Sequence, residues 1–411
     1  EYSGAFTRVE ADAGAGQNLV DARSLSGVEV FLSGGDDGNE FYLGDAGGEL
    51  HGGAGEDTLD ASRATASALI EGFDGKDTIT GGSADDTILA GAGDDVISTG
   101  GGNNDVDGGT GNDSYRGGSG NNTYTFSDDF GVLNFNDSSG EIILDFSAVT
   151  QDIRGTISKN GAEFVTYNGD GTVRDELRFS RGTLTELRLG TGDDHIIFKD
   201  ITPELLVTDA GGDDDYNVTF NNPGFTGSLI IEDSAGTDDL RVNHLRENQA
   251  LGLNYNGGDS RNVLANGGEL VEFSGIETEL ILANKTTFEG ADTHAPSLTD
   301  IDSWGDSLLL TSDGVGHAGV AVKVLAKSLV VDSELNVGSF DAEVKEGITL
   351  QGDLISGDAV YLYSERWDTN LGETTREIST QGITAGGDLR VESMDLLFAG
   401  SLDITGDATL R

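Results

Sequence analysis

The sequence predicts an all-β protein whose chain winds as a parallel solenoid, and three observations carry that prediction. An apolar residue returns every nine positions through Leu32, Phe41, Leu50 and Leu59 and, after a two-residue slip at Ala61-Ser62, through Ile70, Ile79, Ile88, Ile97, Val106, Tyr115 and Tyr124. Helix signals are almost absent, and short β-branched or aromatic runs alternate with Gly, Asn and Asp, the pattern of strands and turns. The acidic residues, 74 against 23 basic ones in 411, sit at repeated positions between Leu, Ile and Val rather than in polar blocks. A fixed period this short marks stacked coils, each too small to bury its apolar face alone.

Taken in order, residues 1–24 lead into a roll formed by residues 25–125. Its nine-residue unit devotes six residues to a turn and three to a strand with one inward apolar side chain. The unit is sharpest as GGAGEDTLD (Gly52 to Asp60), AGAGDDVIS (Ala90 to Ser98) and GGTGNDSYR (Gly108 to Arg116). Residues 126–290 carry a weaker and longer repeat. Asn134 to Gly140, followed by Leu144 and Phe146, echoes Ile230 to Gly236 with Leu240 and Val242, and Tyr124 to Phe126 echoes Tyr216 to Phe220. The offsets of 91 to 96 predict a duplicated module of about 90 residues, with one stray nonapeptide at Leu189 to Ile196. In residues 291–411, strand-like pieces are punctuated by Gly-Ser or Gly-Asp at Gly338, Gly352, Gly357, Gly387, Gly400 and Gly406. Alternation after them, as in Leu389-Arg-Val391 and Leu402-Asp-Ile404, predicts a wider parallel β-helix, with a hairpin-built β-sandwich as the alternative.

A net charge of −51 with 36% apolar residues and 63 glycines argues against a large globular core. Such a charge ordinarily signals disorder, but its regular placement favours a fold neutralised by cations. Nucleic acid and anionic membranes are poor partners for so negative a surface. No cysteine is present, which excludes a disulfide framework and a thiol nucleophile. No apolar run reaches the length of a membrane span, so membrane insertion is not expected. No signal peptide opens the chain, and the expectation is a segment of a longer protein that carries its targeting signals elsewhere.

The chemistry lies in the turns. Glycines permit positive φ and close backbone approach, so each turn presents carbonyl oxygens together with the carboxylate of its sixth residue. Hard oxygen donors at this density suit Ca²⁺, which takes six to eight of them in flexible geometry, while the nitrogen and sulfur donors that suit zinc or copper are missing. Two units complete one coil, so the two edges of the roll can be read separately. One edge carries Asn39, Asp57, Asp77, Asp95 and Asp113 at the sixth position, and the other carries Gly48, Ala68, Asp86, Asn104 and Asn122. About three calcium ions are expected between Asp57 and Asp113, and one or two weaker ions, or none, around Asp86, Asn104 and Asn122. Carboxylates stacked at about 4.8 Å repel by roughly 1–3 kcal/mol per pair, so a column of them should not stay folded without a counter-ion.

These units, from Gly52 to Asp60 and from Gly108 to Arg116 with their neighbours, resemble the repeats-in-toxin, or haemolysin-type calcium-binding, family over residues 52–125, about a fifth of the chain. The resemblance implies type I export in an unfolded state and calcium-driven folding outside the cell. It also implies that glycine-turn carbonyls and the aspartates of two stacked turns share each ion. On this chain that points to Asp57, Asp77, Asp95 and Asp113, with carbonyls around Gly53, Gly55, Gly75, Gly91, Gly93, Gly109 and Gly111. Phe73, Ala84 and Ala90 depart from the pattern at glycine positions. Residues 291–411 resemble instead the β-helical shafts of filamentous-haemagglutinin-type adhesins.

Other candidates are thin. The five histidines (51, 195, 244, 294 and 317) are scattered singly, and neither a Gly-x-Ser-x-Gly elbow nor a His-Glu-x-x-His pair occurs. Asp213-Asp-Asp215 offers carboxylates of the kind glycoside hydrolysis needs, but reads better as turn residues or a calcium ligand. Trp304 and Trp367 read as packing residues rather than sugar platforms. Asp193-Asp194 in the stray unit is a candidate for an isolated ion, held by Asp194 without a partner turn two units away. No catalytic residue is assigned. The expectation is a non-enzymatic, calcium-stabilised structural or adhesive segment of a giant secreted bacterial surface protein, fibre or matrix, with self-assembly or glycans as further partners. The alternatives are the export module of a secreted epimerase, lipase or protease, and a calcium-dependent surface-layer protein.

Overall fold

The computed structural model describes residues 6–199 except 138, residues 204–220 and, from 228 onward, the strands with a few adjoining turn residues. Among the described residues every regular element is a strand, and no helix is long and apolar enough to cross a membrane. The chain divides into two compact units, Glu1–Ile196 with Leu205–Gly211 and Ile197–Glu204 with Gly212–Arg411.

In the first unit each short strand pairs in parallel with the strand two ahead. Thr78–Thr80 pairs with Val96–Ser98, which pairs with Ser114–Arg116, and Thr87–Ala92 pairs with Asp105–Asp107, which pairs with Asn121–Ser127. Partners such as Ile79 and Ile97 lie 18 positions apart, so two nonapeptides make one coil and the nine-residue period resolves into two alternating columns. Ile79, Ile97 and Tyr115 stack in one, and Ile70, Ile88, Val106 and Tyr124 stack in the other, all fully buried. The slip in the period is a local turn: the Ala64 N–H donates to the Ala61 carbonyl at 2.8 Å, and both alanines are buried. The stretch before residue 25 is itself a coil, since Arg8–Asp12 pairs with Glu29–Ser33 and Leu19–Asp21 with Glu40–Tyr42.

Beyond Tyr124 the interior turns aromatic. Tyr124 meets Phe135 edge-on at 4.6 Å, Phe126 stacks on Phe146 at 4.7 Å, and Phe146 meets Phe164 at 5.3 Å. The larger rings fill a coil that widens here. It widens because an antiparallel meander, Arg154–Ser158, Gly161–Tyr167 and Val173–Phe179, is spliced into the winding. Parallel pairing then resumes, Val132–Asn136 with Val173–Phe179 and Glu141–Ala148 with Thr183–Arg188.

The second unit contains the same arrangement. Leu251–Tyr255, Arg261–Ala265 and Gly268–Ser274 form an antiparallel meander, Leu229–Glu232 pairs with Gly268–Ser274, and Asp239–His244 pairs with Thr278–Leu282. From there to Ala408–Leu410 the strands pair in parallel, coil upon coil. The described strands from Ser297–Asp302 to Ala408–Leu410 therefore form a parallel β-helix, and the hairpin-built sandwich is set aside. The rungs are wider than in the roll because alternation now turns two apolar residues inward per strand: Val322 with Val324, Leu335 with Val337, Ile348 with Leu350 and Leu389 with Val391 are all buried. Trp304, Trp367, His294 and the side chains of His244 and His317 lie outside the described residues.

Candidate metal centre

The first edge of the roll is a column of buried aspartates with a single repeating contact. The backbone N–H of Asp57 donates to Asp77 Oδ1 at 2.8 Å, that of Asp77 to Asp95 Oδ1 at 2.7 Å, and that of Asp95 to Asp113 Oδ1 at 2.9 Å. Each side chain thus reaches back to the coil before it. The other carboxylate oxygen, Oδ2 of Asp57, Asp77, Asp95 and Asp113, is buried and has no hydrogen-bond partner. It points at the glycine that opens the same turn, since a Cβ built on Gly52, Gly72 or Gly108 would collide with the Oδ2 of Asp57, Asp77 or Asp113. Burial raises all four carboxyls, and those of Asp77 and Asp113 are pushed up to about 7, with neighbouring carboxylates adding to the effect.

The glycines set the other half of the site. Gly75, Gly93 and Gly111 have φ between +133° and +141°, and a Cβ on any of them would overlap the carbonyl oxygen of Gly55, Gly75 or Gly93 in the preceding coil. Gly53, Gly91 and Gly109, with φ from +79° to +123°, stand in the same relation to Gly35, Phe73 and Gly91. Carbonyls of successive coils are thereby drawn into a line beside the carboxylates. Two of the departures now have physical meaning. Phe73 occupies a glycine's place with φ +73° and its side chain half exposed, and Ala90 puts a methyl where the opening glycine of the Asp95 turn would stand.

The column is bounded at both ends. At one end Asn39, expected among the ligands, presents its amide as a donor: Nδ2 lies 3.2 Å from the Gly52 carbonyl and 3.1 Å from Asp57 Oδ1, and Asn39 Oδ1 accepts from Asn18 Nδ2 at 3.1 Å. At the other end the register that pairs Ser114 with Asn134 places buried Leu133 opposite Asp113. Between these stops the backbone N–H groups are spent on the Oδ1 atoms, and the buried Oδ2 atoms are left without a hydrogen bond. Such a set suits a hard cation of Ca²⁺ type, and Asp57, Asp77, Asp95 and Asp113 with the glycine-turn carbonyls are the residues that would hold it. A bound cation would supply the positive charge that the buried carboxylates otherwise meet only by taking up protons.

The second edge is built differently. Asp86 has both oxygens engaged, Oδ1 by the Ala68 N–H at 2.8 Å and Oδ2 by the Gly82 N–H at 2.6 Å. The Asp86 and Asn104 N–H groups donate to Asn104 Oδ1 at 2.9 Å and Asn122 Oδ1 at 3.2 Å, repeating the contact of the first edge.

Asp194, taken from sequence to lack a partner turn, has one. The Ile153 N–H donates to Asp194 Oδ1 at 2.7 Å and the Asp193 N–H to Asp152 Oδ1 at 3.1 Å. The partner coil lies 41 residues back because the antiparallel meander intervenes, so a search at a step of 18 misses it. Carboxylate oxygens of Asp194 and Asp209, both buried, come within 4.8 Å of each other. In the second unit Asp214, Asp233 and Asp238 bring three buried carboxylates within the same distance. Sequence reasoning reached the Asp213–Asp215 run but missed Asp233 and Asp238. The available signal was the pattern Asp-x-x-Gly-x-Asp-x-apolar, present at Asp209 to Tyr216 and again at Asp233 to Leu240. The duplicated turn in the first unit shows what changed. There Tyr124 OH and Asn122 Nδ2 both donate to Asp137 Oδ2, at 2.9 and 3.0 Å. In the second unit Tyr216 OH donates to Asp233 Oδ2 at 2.8 Å, and Asp214 stands in the place of Asn122.

Fold and site together define a β-solenoid protein with calcium-binding turns. The family model of the RTX calcium-binding nonapeptide repeat matches residues 49–63, 71–106 and 99–124, so the roll carries repeats of that kind. No curated protein matches the chain.

Proposed function

We propose that this chain is a calcium-stabilised structural and adhesive segment of a large secreted bacterial surface protein, working within an extracellular fibre or matrix and without catalytic activity. The observation that carries the reading is the column of four buried Oδ2 atoms without hydrogen-bond partners, lined by glycine carbonyls. At neutral pH those groups oppose the fold until a cation joins them, so binding energy becomes folding energy. Extracellular calcium modules work at roughly 0.1–1 mM, which makes the compartment the switch: where calcium is scarce the unneutralised carboxylates leave the roll only marginally folded, and it tightens outside the cell, a state suited to type I export. Glycans or further copies of the protein are the partners such a segment would meet there. Circular dichroism of the 411-residue chain, titrated with calcium from a chelated start, tests the reading. Strand signal should rise over the sub-millimolar to millimolar range, and strand content indifferent to calcium would sink it.

A further inference from the structure

The two edges of the roll carry the same backbone contact and opposite solutions to the same problem. In both, the sixth residue's side-chain oxygen accepts an N–H from the preceding coil, and in both the turn leaves carbonyl oxygens beside that side chain. An aspartate can only accept, so its second oxygen confronts the carbonyls as a like pole. An asparagine replaces that oxygen with two N–H donors. At Asn104 the donors are used: Nδ2 lies 2.8 Å from Asn122 Oδ1, 3.2 Å from the Gly102 carbonyl and 3.4 Å from the Gly101 carbonyl. Asn122 Nδ2 continues the chain to Asp137 Oδ2 at 3.0 Å, where Tyr124 OH adds a second donor at 2.9 Å. The Asp86 carboxylate at the head of the line takes two backbone N–H groups. No oxygen of Asp86, Asn104 or Asn122 is among the buried atoms without a hydrogen bond, whereas four aspartates of the opposite edge are.

We infer that the Asp86–Asn104–Asn122 edge takes no calcium: the Asn104 amide occupies the turn carbonyls that an ion would need and the Asn122 amide engages the Asp137 carboxylate, so donors stand where the ion would and calcium dependence resides in one edge of the roll. The inference deepens the proposed function and rests on calcium binding at the first edge. The two asparagines also separate the only carboxylates of this line, Asp86 and Asp137, so the edge escapes the repulsion that loads the other. It serves as a metal-independent seam on which the calcium edge closes.

The test counts calcium bound per chain by equilibrium dialysis of the full chain, comparing wild type with Asn104→Asp/Asn122→Asp and with Asn104→Ala. The acidic double variant restores acceptor-only turns and should bind at least one ion more than wild type. Asn104→Ala should leave the count unchanged yet lower the melting temperature in chelator, because Asp86 loses its acceptor and the carbonyls lose their donor. Dialysis is done in millimolar calcium, where a variant that is unfolded in chelator still folds. An unchanged count in the acidic variant, or a lower count in Asn104→Ala, overturns the inference. Wild type that binds no calcium at all would instead strike the proposed function, a separate outcome.

Discussion

Asp77→Asn should stabilise the metal-free roll and weaken the calcium-loaded one. In wild type the Asp77 carboxyl is fully buried, accepts a single N–H through Oδ1, and is pushed up to about 7 by burial and by Asp95 and Asp57. The difference from an ordinary carboxyl near pH 4 corresponds to about 4 kcal/mol of opposition to the charged form at neutral pH. Solvent screening and local relaxation make that an upper bound. The amide carries no charge, keeps an oxygen for the Asp57 N–H, and offers donors to the turn carbonyls as Asn39 Nδ2 does to Gly52. Midpoints of urea unfolding in chelator should therefore rise for the variant, by the equivalent of about 1–4 kcal/mol. In millimolar calcium the order should invert, because the variant removes an anionic ligand from the middle of the column. Calorimetric titration should show weaker and fewer calcium sites. A variant less stable than wild type in chelator, or one with unaltered calcium binding, would refute the reasoning.

The same carboxyls set a pH dependence of known sign. Asp77 and Asp113 titrate near 7 in the folded, metal-free chain, above their unfolded values. Their contribution is fully present below about pH 4 and is lost as pH rises through 7, so chelated protein should melt at a higher temperature at pH 5 than at pH 8. With calcium saturating the trend should reverse, since protons compete for the ligands. Gly93→Ala should destabilise the roll by about 3 kcal/mol or more and suppress the calcium-induced rise in strand signal, because its Cβ would overlap the Gly75 carbonyl oxygen at a φ of +141°. Asp214→Asn should recreate in the second unit the amide–carboxylate contact of Asn122 with Asp137, and a raised melting temperature in chelator is the expected result.

Much of this was legible in the sequence where one physical rule acts alone. The nine-residue return of Ile79, Ile88, Ile97 and Val106 is dictated by one inward side chain per strand, and nothing competes with it. The two edges followed from counting, because 18 residues close a coil. Legibility failed where the winding is interrupted. The meander of residues 154–179 lengthens a coil, and Asp194 then stacks on Ile153 instead of on a residue 18 back. Asp233 and Asp238 were hidden for a related reason, since their turn lies 24 residues beyond that of Asp209 and Asp214. The role of Asn104 was masked by chemistry rather than spacing. Read as a degraded aspartate it is a poor ligand, and only the structure reveals that its amide donates to the Gly101 and Gly102 carbonyls and to Asn122.

The stops at Asn39 and Leu133 bear on what calcium can join together. A ladder left open at either end would present a ligand set to another molecule, and ions would then act as mortar between chains. Here an amide stands at one end, and at the other the register sets buried Leu133, which carries no oxygen donor in its side chain, opposite Asp113, so ions held in this column would have both shores in the same polypeptide. Under the proposed function, calcium-driven ordering of the roll should accordingly be a first-order event, with the same calcium midpoint at low as at high protein concentration. Any lattice or bundle these molecules form must be cemented through other surfaces.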